Sequence, residues 1–303
     1  WVSYGLGSEN ANLPGFVVMS DSTATVTNGP RNWSAGFMPA TYQGVKLNPG
    51  AAPIRHLNLP NGVSPEMRLR QLEMLRQLNE QHLKSREGQS ELEARIRAYE
   101  LAYRMQAAAP EAVDLTKETE ATKKLYGFGN KDTEPFGRCC LLARRLVERG
   151  VRFVELSCLP EKMGGGQAPN PWDQHGNLKG GHENMSLQVD QPIGGLLRDL
   201  KARGLLDDTL VIWAGEFGRT PRINNIGSRD HWPHCYFSVW AGGGIQPGRV
   251  IGESDPNGEH PATDPVTPAM VGTTILELAG ATSATRAELQ VLQDGGHVID
   301  GLV

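Results

Sequence analysis

The run Thr209–Ala214 (TLVIWA) is the feature that most restricts what this chain can fold into. Six uncharged residues rich in β-branched and aromatic side chains are too few for a buried helix. They predict a strand covered on both faces. Val151–Ser157 (VRFVELS) and Cys235–Ala241 (CYFSVWA) share that composition, and the second closes on Gly242-Gly243-Gly244. Helical patterns lie between and after them. Leu141–Arg149 reads as a basic amphipathic helix stopped by Gly150. Val189, Ile193, Leu196, Leu197 and Leu200 mark another, ended by Gly204. Thr267 and Pro268 open a last helix that Gly280 ends. Strands alternating with helices predict an α/β fold with a mainly parallel sheet covered on both faces.

Upstream of this region the composition changes twice. Residues 1 to about 62 are rich in Asn, Pro and Gly and read as shaped loops. Residues 63–126 hold a single glycine, Gly88, and many charges of both signs. Ser64-Pro65-Glu66 is a helix start, followed by a leucine stripe at 69, 72, 75 and 78. Leu92, Ile96, Tyr99 and Tyr103 repeat at a helical period. These two segments predict a helical hairpin, packed on the core or forming a small cap. A coiled-coil surface is the lesser alternative, because the stripe spans too few heptads. The chain is thus expected to be one domain over 1–303 with 63–126 as a helical insertion.

Composition excludes several classes. The 303 residues are 39% hydrophobic and 21% charged, a globular balance rather than a disordered one. No run approaches the ~18 apolar residues of a membrane span. A formal charge of −4 argues against a nucleic-acid binder. Cys139, Cys140, Cys158 and Cys235 lack Cys-x-x-Cys spacing and read as small buried hydrophobes. No Gly-x-Ser-x-Gly elbow, zinc-peptidase helix or dinucleotide fingerprint is present. Asn32-Trp33-Ser34 fits the N-glycosylation pattern, which is common by chance.

The chemistry is concentrated in the loops at the strand ends, where open α/β sheets bind ligands. Trp172-Asp173-Gln174-His175-Gly176-Asn177 and His182 follow VRFVELS. Gly215-Glu216-Phe217-Gly218-Arg219-Thr220-Pro221 follows TLVIWA. Arg229-Asp230-His231-Trp232-Pro233-His234 precedes CYFSVWA. Carboxylates and imidazoles are the mixed ligands of a divalent ion (Zn, Mn, Mg or Ca), and the absence of cysteine argues against a closed structural zinc site. Asp173, His175, Glu216, Asp230 and His231 are the expected metal ligands. Arg219 is suited to a tetrahedral anion through bidentate hydrogen bonds. Asn177 and His234 are placed to support the ligands or to act as acid–base groups. Plainer readings exist for each. Glu216 and Arg219 can form an ion pair, Asp173 and His175 can make turn hydrogen bonds, and Asp230-His231 can be a local pair.

Several motifs in order carry a resemblance over nearly the whole chain. They are Tyr4–Gly7, Asn12–Phe16, Leu141–Val154 and Trp172–Asn177. Leu205–Val211 follows, leading into Gly215–Pro221, and Arg229–Pro233 and Ala241–Gly244 complete the series. Together they resemble the domain-of-unknown-function family numbered fifteen hundred and one. That family is similar to the sulfatases and alkaline phosphatases, and its members often carry a twin-arginine export signal. The resemblance implies a three-layer α/β/α, alkaline-phosphatase-like fold and an exported protein. It implies that Glu216-Phe217 replaces an Asp-His step, with one histidine ligand lost. It sets Asp173 and His175 at an Asp-x-x-x-His pair of longer spacing, and Asp230-His231 at a late histidine ligand. It also implies a preceding segment, upstream of Trp1, with a first core strand, an Asp ligand and a nucleophile.

The expected activity is therefore metal-dependent hydrolysis of sulfate or phosphate esters, with a small molecule or a glycan ester as substrate. The alternative is a non-catalytic protein on the same fold that recognises anionic glycans. A third reading makes the charged helices of 63–126 an assembly interface.

Overall fold

Phe16–Ser20 (β1), from the zone expected to be loop, is the middle strand of a parallel sheet. Val45–Lys46 (β2) and Phe153–Ser157 (β3) flank it, in the order β2-β1-β3. Val17 lies opposite Val45 on one side and Val154 on the other. The sequence FVVMS explains the placement, because Val17, Val18 and Met19 are all buried and such a run needs cover on both faces. The structure is a computed structural model and describes residues 1–21, 28–48, 50, 52–54, 57, 59–86, 90–159, 172–288 and 296–303. Of the glycine-rich segment that follows VRFVELS, read from the sequence as a loop over 159–183, residues 160–171 lie outside the described residues and 178–183 are helix.

The helices run Val2–Leu6 (α1), Pro65–Lys84 (α2), Ser90–Val113 (α3), Glu120–Leu125 (α4), Glu134–Val147 (α5), Leu178–Ala202 (α6), Pro268–Leu278 (α7) and Ser283–Glu288 (α8). Helix α5 packs on β1 and β3, and α3 and α6 pack on α5. Cys139, Cys140, Leu141, Leu142 and Leu146 of α5 meet Met105, Ala109 and Ala112 of α3 and Met185, Val189 and Leu200 of α6 in one core. The reading of Cys139, Cys140 and Cys158 as buried hydrophobes agrees, and Cys235 is half-buried.

The expected three-layer α/β/α sheet is not what forms. Val211–Ala214 (β4) pairs with Ser238–Ala241 (β7), and that pairing is antiparallel. Gly218–Arg219 (β5) pairs with His231–Trp232 (β6), also antiparallel. Among the described residues neither ribbon joins the three parallel strands. The architecture is mixed α/β with a small parallel sheet, and the alkaline-phosphatase-like class is overturned. TLVIWA misled because its apolar run is not covered twice. Trp213 is 47% exposed, Ala214 is exposed as well, and Val211 and Ile212 are only half-buried. Apolar composition reports propensity, whereas strand partners are chosen by tertiary contacts.

Two helical readings also change. The leucines at 69, 75 and 78 of α2 are exposed, and α2 buries no residue. A spacing of three turns 300° per step, so four leucines drift around the helix instead of lining one face. In α5 the basic residues expected at the surface are inside. Arg144 and Arg145 are buried because acids meet them there. Arg144 pairs with Glu118 and Glu148 at 2.7 Å and with Asp199 at 3.0 Å, and Arg145 pairs with Glu118. Tyr126 donates its hydroxyl to Asp199 at 2.9 Å.

Candidate metal centre

The site lies where the loop after β3 meets the β5–β6 ribbon. That loop is anchored at both ends. Trp172 Nε1 donates to the Cys158 carbonyl at 3.1 Å, beside the end of β3. Asn177 takes a left-handed conformation, φ 48°, and starts α6. Between them Gln174 is buried, hydrogen-bonded to His182 at 3.0 Å, and the Ser228 hydroxyl donates to the Gln174 carbonyl. A Cβ on Gly181 would stand 1.9 Å from Gln174 Oε1, so a larger residue there would push the Gln174 side chain out of its place.

The ribbon supplies the other half. Arg219 and His231 are opposed in register, so both side chains leave the same face. Both reach one atom, Asp173 Oδ1, from Arg219 Nη1 at 2.7 Å and from His231 Nε2 at 2.8 Å. His175 Nε2 approaches that oxygen at 2.9 Å. The two imidazole centroids are 5.2 Å apart. Phe217 braces the group, with its ring 4.7 Å from His231 and 5.7 Å from the Arg219 guanidinium. Gly218 lets the strands close, since a Cβ there would meet the Cys235 carbonyl oxygen at 2.0 Å.

One oxygen and two imidazole nitrogens, from Asp173, His175 and His231, lie within 4.8 Å of one another. That donor set fits a divalent ion of the Zn or Mn kind better than Mg or Ca, which take oxygen ligands. Partial burial alone would raise the Asp173 carboxyl. Hydrogen bonds from His231 and Arg219 outweigh this and hold it below the ordinary carboxylate range. The carboxylate is thus kept ionised, as a ligand must be.

The remaining expected residues are at the edge or elsewhere. Glu216 is exposed and reaches Arg219 at 3.8 Å, as the plainer ion-pair reading anticipated. Asp230 stands 3.9 Å from His175 Nδ1 and accepts from Asn224 Nδ2 at 3.1 Å. Asn177 serves the start of α6 without a side-chain cap. His234 packs against Trp232 and His260, with centroids at 4.8 and 5.2 Å.

Sequence reasoning passed over Asp21. It is buried directly after β1 and accepts from the Leu159 amide at 2.5 Å and the Cys158 thiol at 3.3 Å. Burial raises its carboxyl. The signal was available, since a carboxylate follows the apolar run FVVMS as Glu216 follows TLVIWA.

The model of the family described as "Protein of unknown function (DUF1501)" matches residues 1–303. No curated protein and no solved structure matches the chain. Among the described residues no helix is long and apolar enough to cross a membrane. With the match spanning its whole length, the chain belongs to the DUF1501 family.

Proposed function

We propose that this protein is a metal-dependent hydrolase of phosphate or sulfate esters, with Asp173, His175 and His231 as ligands to a divalent ion. The observation that carries the reading is the convergence of these three donors beside a guanidinium at 2.7 Å. Such an ion, when bound, supplies Lewis acidity and an activated water. Arg219 would leave Asp173 and present its planar donors to the anion's oxygens. Phe217 holds Arg219 and His231 in register for this, and Glu216 and Asp230 complete an acidic rim that draws the cation. Asn177 belongs to the proposal only as a group near the start of α6 beside the ligand loop, and His234, packed against Trp232 and His260 on the other side of the ribbon, is left out of it. Export belongs to it as well, supported by the family resemblance.

A second reading has its own support. His175 and His231 are about half exposed, and catalytic electrostatics work best where water is excluded. A shallow site of this kind suits a protein that binds anionic glycans without turning them over. One experiment separates the two. Purified protein is analysed for metal, then assayed with aryl phosphate and aryl sulfate, alongside Asp173→Asn and Arg219→Ala. Turnover that needs metal and is lost in both variants supports the hydrolase. Metal bound without turnover, with glycan affinity lost in Arg219→Ala, supports the binder. Absence of metal at the triad sinks the hydrolase, and glycan binding that a chelator leaves unchanged then supports the binder.

A further inference from the structure

The ribbon that carries His231 has a second group of imidazoles on its other side. Adjacent residues of a strand point to opposite faces, so Trp232 leaves β6 away from the Asp173 triad. There its ring meets His234 at 4.8 Å and His260 at 5.8 Å, and the two imidazoles lie 5.2 Å apart, tilted by 54°. His260 arrives from a distant loop that is held firmly. The Asp255 carboxylate accepts the amides of Asn257, Glu259 and His260 at 3.0, 2.9 and 3.1 Å. Trp232 Nε1 ties the loop to the ribbon through the Glu259 carbonyl at 2.7 Å. Unlike His175, His182 and His231, neither His234 nor His260 uses a ring nitrogen in a hydrogen bond or ion pair among the described residues.

We propose that His234 and His260 form a second metal site, separate from the triad, that takes a borderline transition ion such as Zn(II), Ni(II) or Cu(II). The spacing carries the argument. With metal–nitrogen bonds of about 2.0–2.1 Å, each ring centroid stands about 3.2 Å from the ion, and a 5.2 Å separation then subtends roughly 110°, a tetrahedral angle. The triad's two imidazoles have the same centroid separation. Two imidazoles without a carboxylate select these ions over Mg and Ca. Both rings are exposed, so water completes the coordination. The clasped loop brings two segments into place before the ion arrives, which limits the ordering needed on binding.

Trp232 makes the site readable. Ni(II) is titrated into the full chain, and tryptophan emission is followed together with bound metal by equilibrium dialysis. The expected result is saturable quenching whose midpoint moves at least tenfold higher in His234→Ala and in His260→Ala. It should stay in place in the double variant His175→Ala/His231→Ala. Trp232→Phe should abolish the quenching while the ion still binds. Urea midpoints of the variants, taken without metal, show that each is folded. The proposal is overturned if neither His234→Ala nor His260→Ala moves the midpoint, or if only the triad variant does. The test is independent of the hydrolase reading, since either site can fail while the other stands.

Discussion

Gly218→Ala tests whether the close approach of the β5–β6 ribbon is what assembles the site. The new Cβ would stand 2.0 Å from the Cys235 carbonyl oxygen and 3.0 Å from that of Trp232. Both neighbours are backbone, so no rotamer change relieves the clash. Reaching even a 3.0 Å contact needs a separation of about 1 Å between β5 and the chain after β6. Arg219 on one strand and His231 on the other hold Asp173 Oδ1 at 2.7 and 2.8 Å. Moving one strand by that amount stretches one of these bonds past about 3.5 Å, where it is lost. Overpacking costs about 1–3 kcal/mol, and the stiffer unfolded chain offsets about 0.4–1, leaving a net destabilisation of about 1–2 kcal/mol. Metal affinity should fall by about 10- to 100-fold, as when groups supporting ligands are displaced. Urea unfolding and Zn(II) calorimetry read the two effects. Gly176→Ala is the control, since nothing lies within 4 Å of its Cβ position although it adjoins His175. Unchanged stability and Zn(II) affinity in Gly218→Ala, or equal losses in the control, would refute the reasoning.

Three further outcomes follow from the same geometry. Arg144→Met should cost about 1–3 kcal/mol in urea unfolding, because Glu118 and Asp199 lose one partner each and keep only Arg145 and Arg203 as cations; a loss under about 1 kcal/mol would show that the network relaxes to water. The Asp173 carboxyl is lower in the folded state than in the unfolded one. Its stabilisation is therefore full above about pH 4 and is lost as pH falls through the folded value. Asp173→Asn should flatten that part of the acid limb in urea midpoints measured against pH, and an unaltered limb would contradict the assignment. Finally, in a His234→Ala/His260→Ala background, Zn(II) at about a hundred times its Kd for the triad should stabilise the protein by about 2.7 kcal/mol, an increment that EDTA and Asp173→Asn each remove. Protection that survives in Asp173→Asn would place the ion elsewhere.

Much of the candidate site was legible before the fold. Asp173, His175, Arg219 and His231 stand out in the sequence because acids, imidazoles and an arginine cluster beside strand-like runs. They do meet at one carboxylate oxygen. Glu216 and Asp230 had the same local signature but stand at the rim, 3.8 Å from Arg219 and 3.9 Å from His175. Residue type and loop position cannot separate a ligand from its neighbour when one residue of register turns a side chain to the opposite face. His234 shows this directly, since it packs edge-on against Trp232, whose side of the ribbon faces away from His231.

The sequence by itself determined the local elements. Helix starts at Ser64 and Thr267 are seen as side-chain caps, and VRFVELS contains β3. These are short-range effects of capping, proline and periodicity, which act within a few residues. Only the tertiary structure decided which strands pair. Phe16–Ser20 became the middle strand out of a loop-rich zone, and TLVIWA went to an antiparallel ribbon instead of a parallel sheet. It also decided that Arg144 is buried, because Glu118 and Asp199 reach it from 26 residues upstream and 55 downstream. Such choices depend on contacts between segments far apart in the chain, whose joint burial and charge pairing no local pattern records.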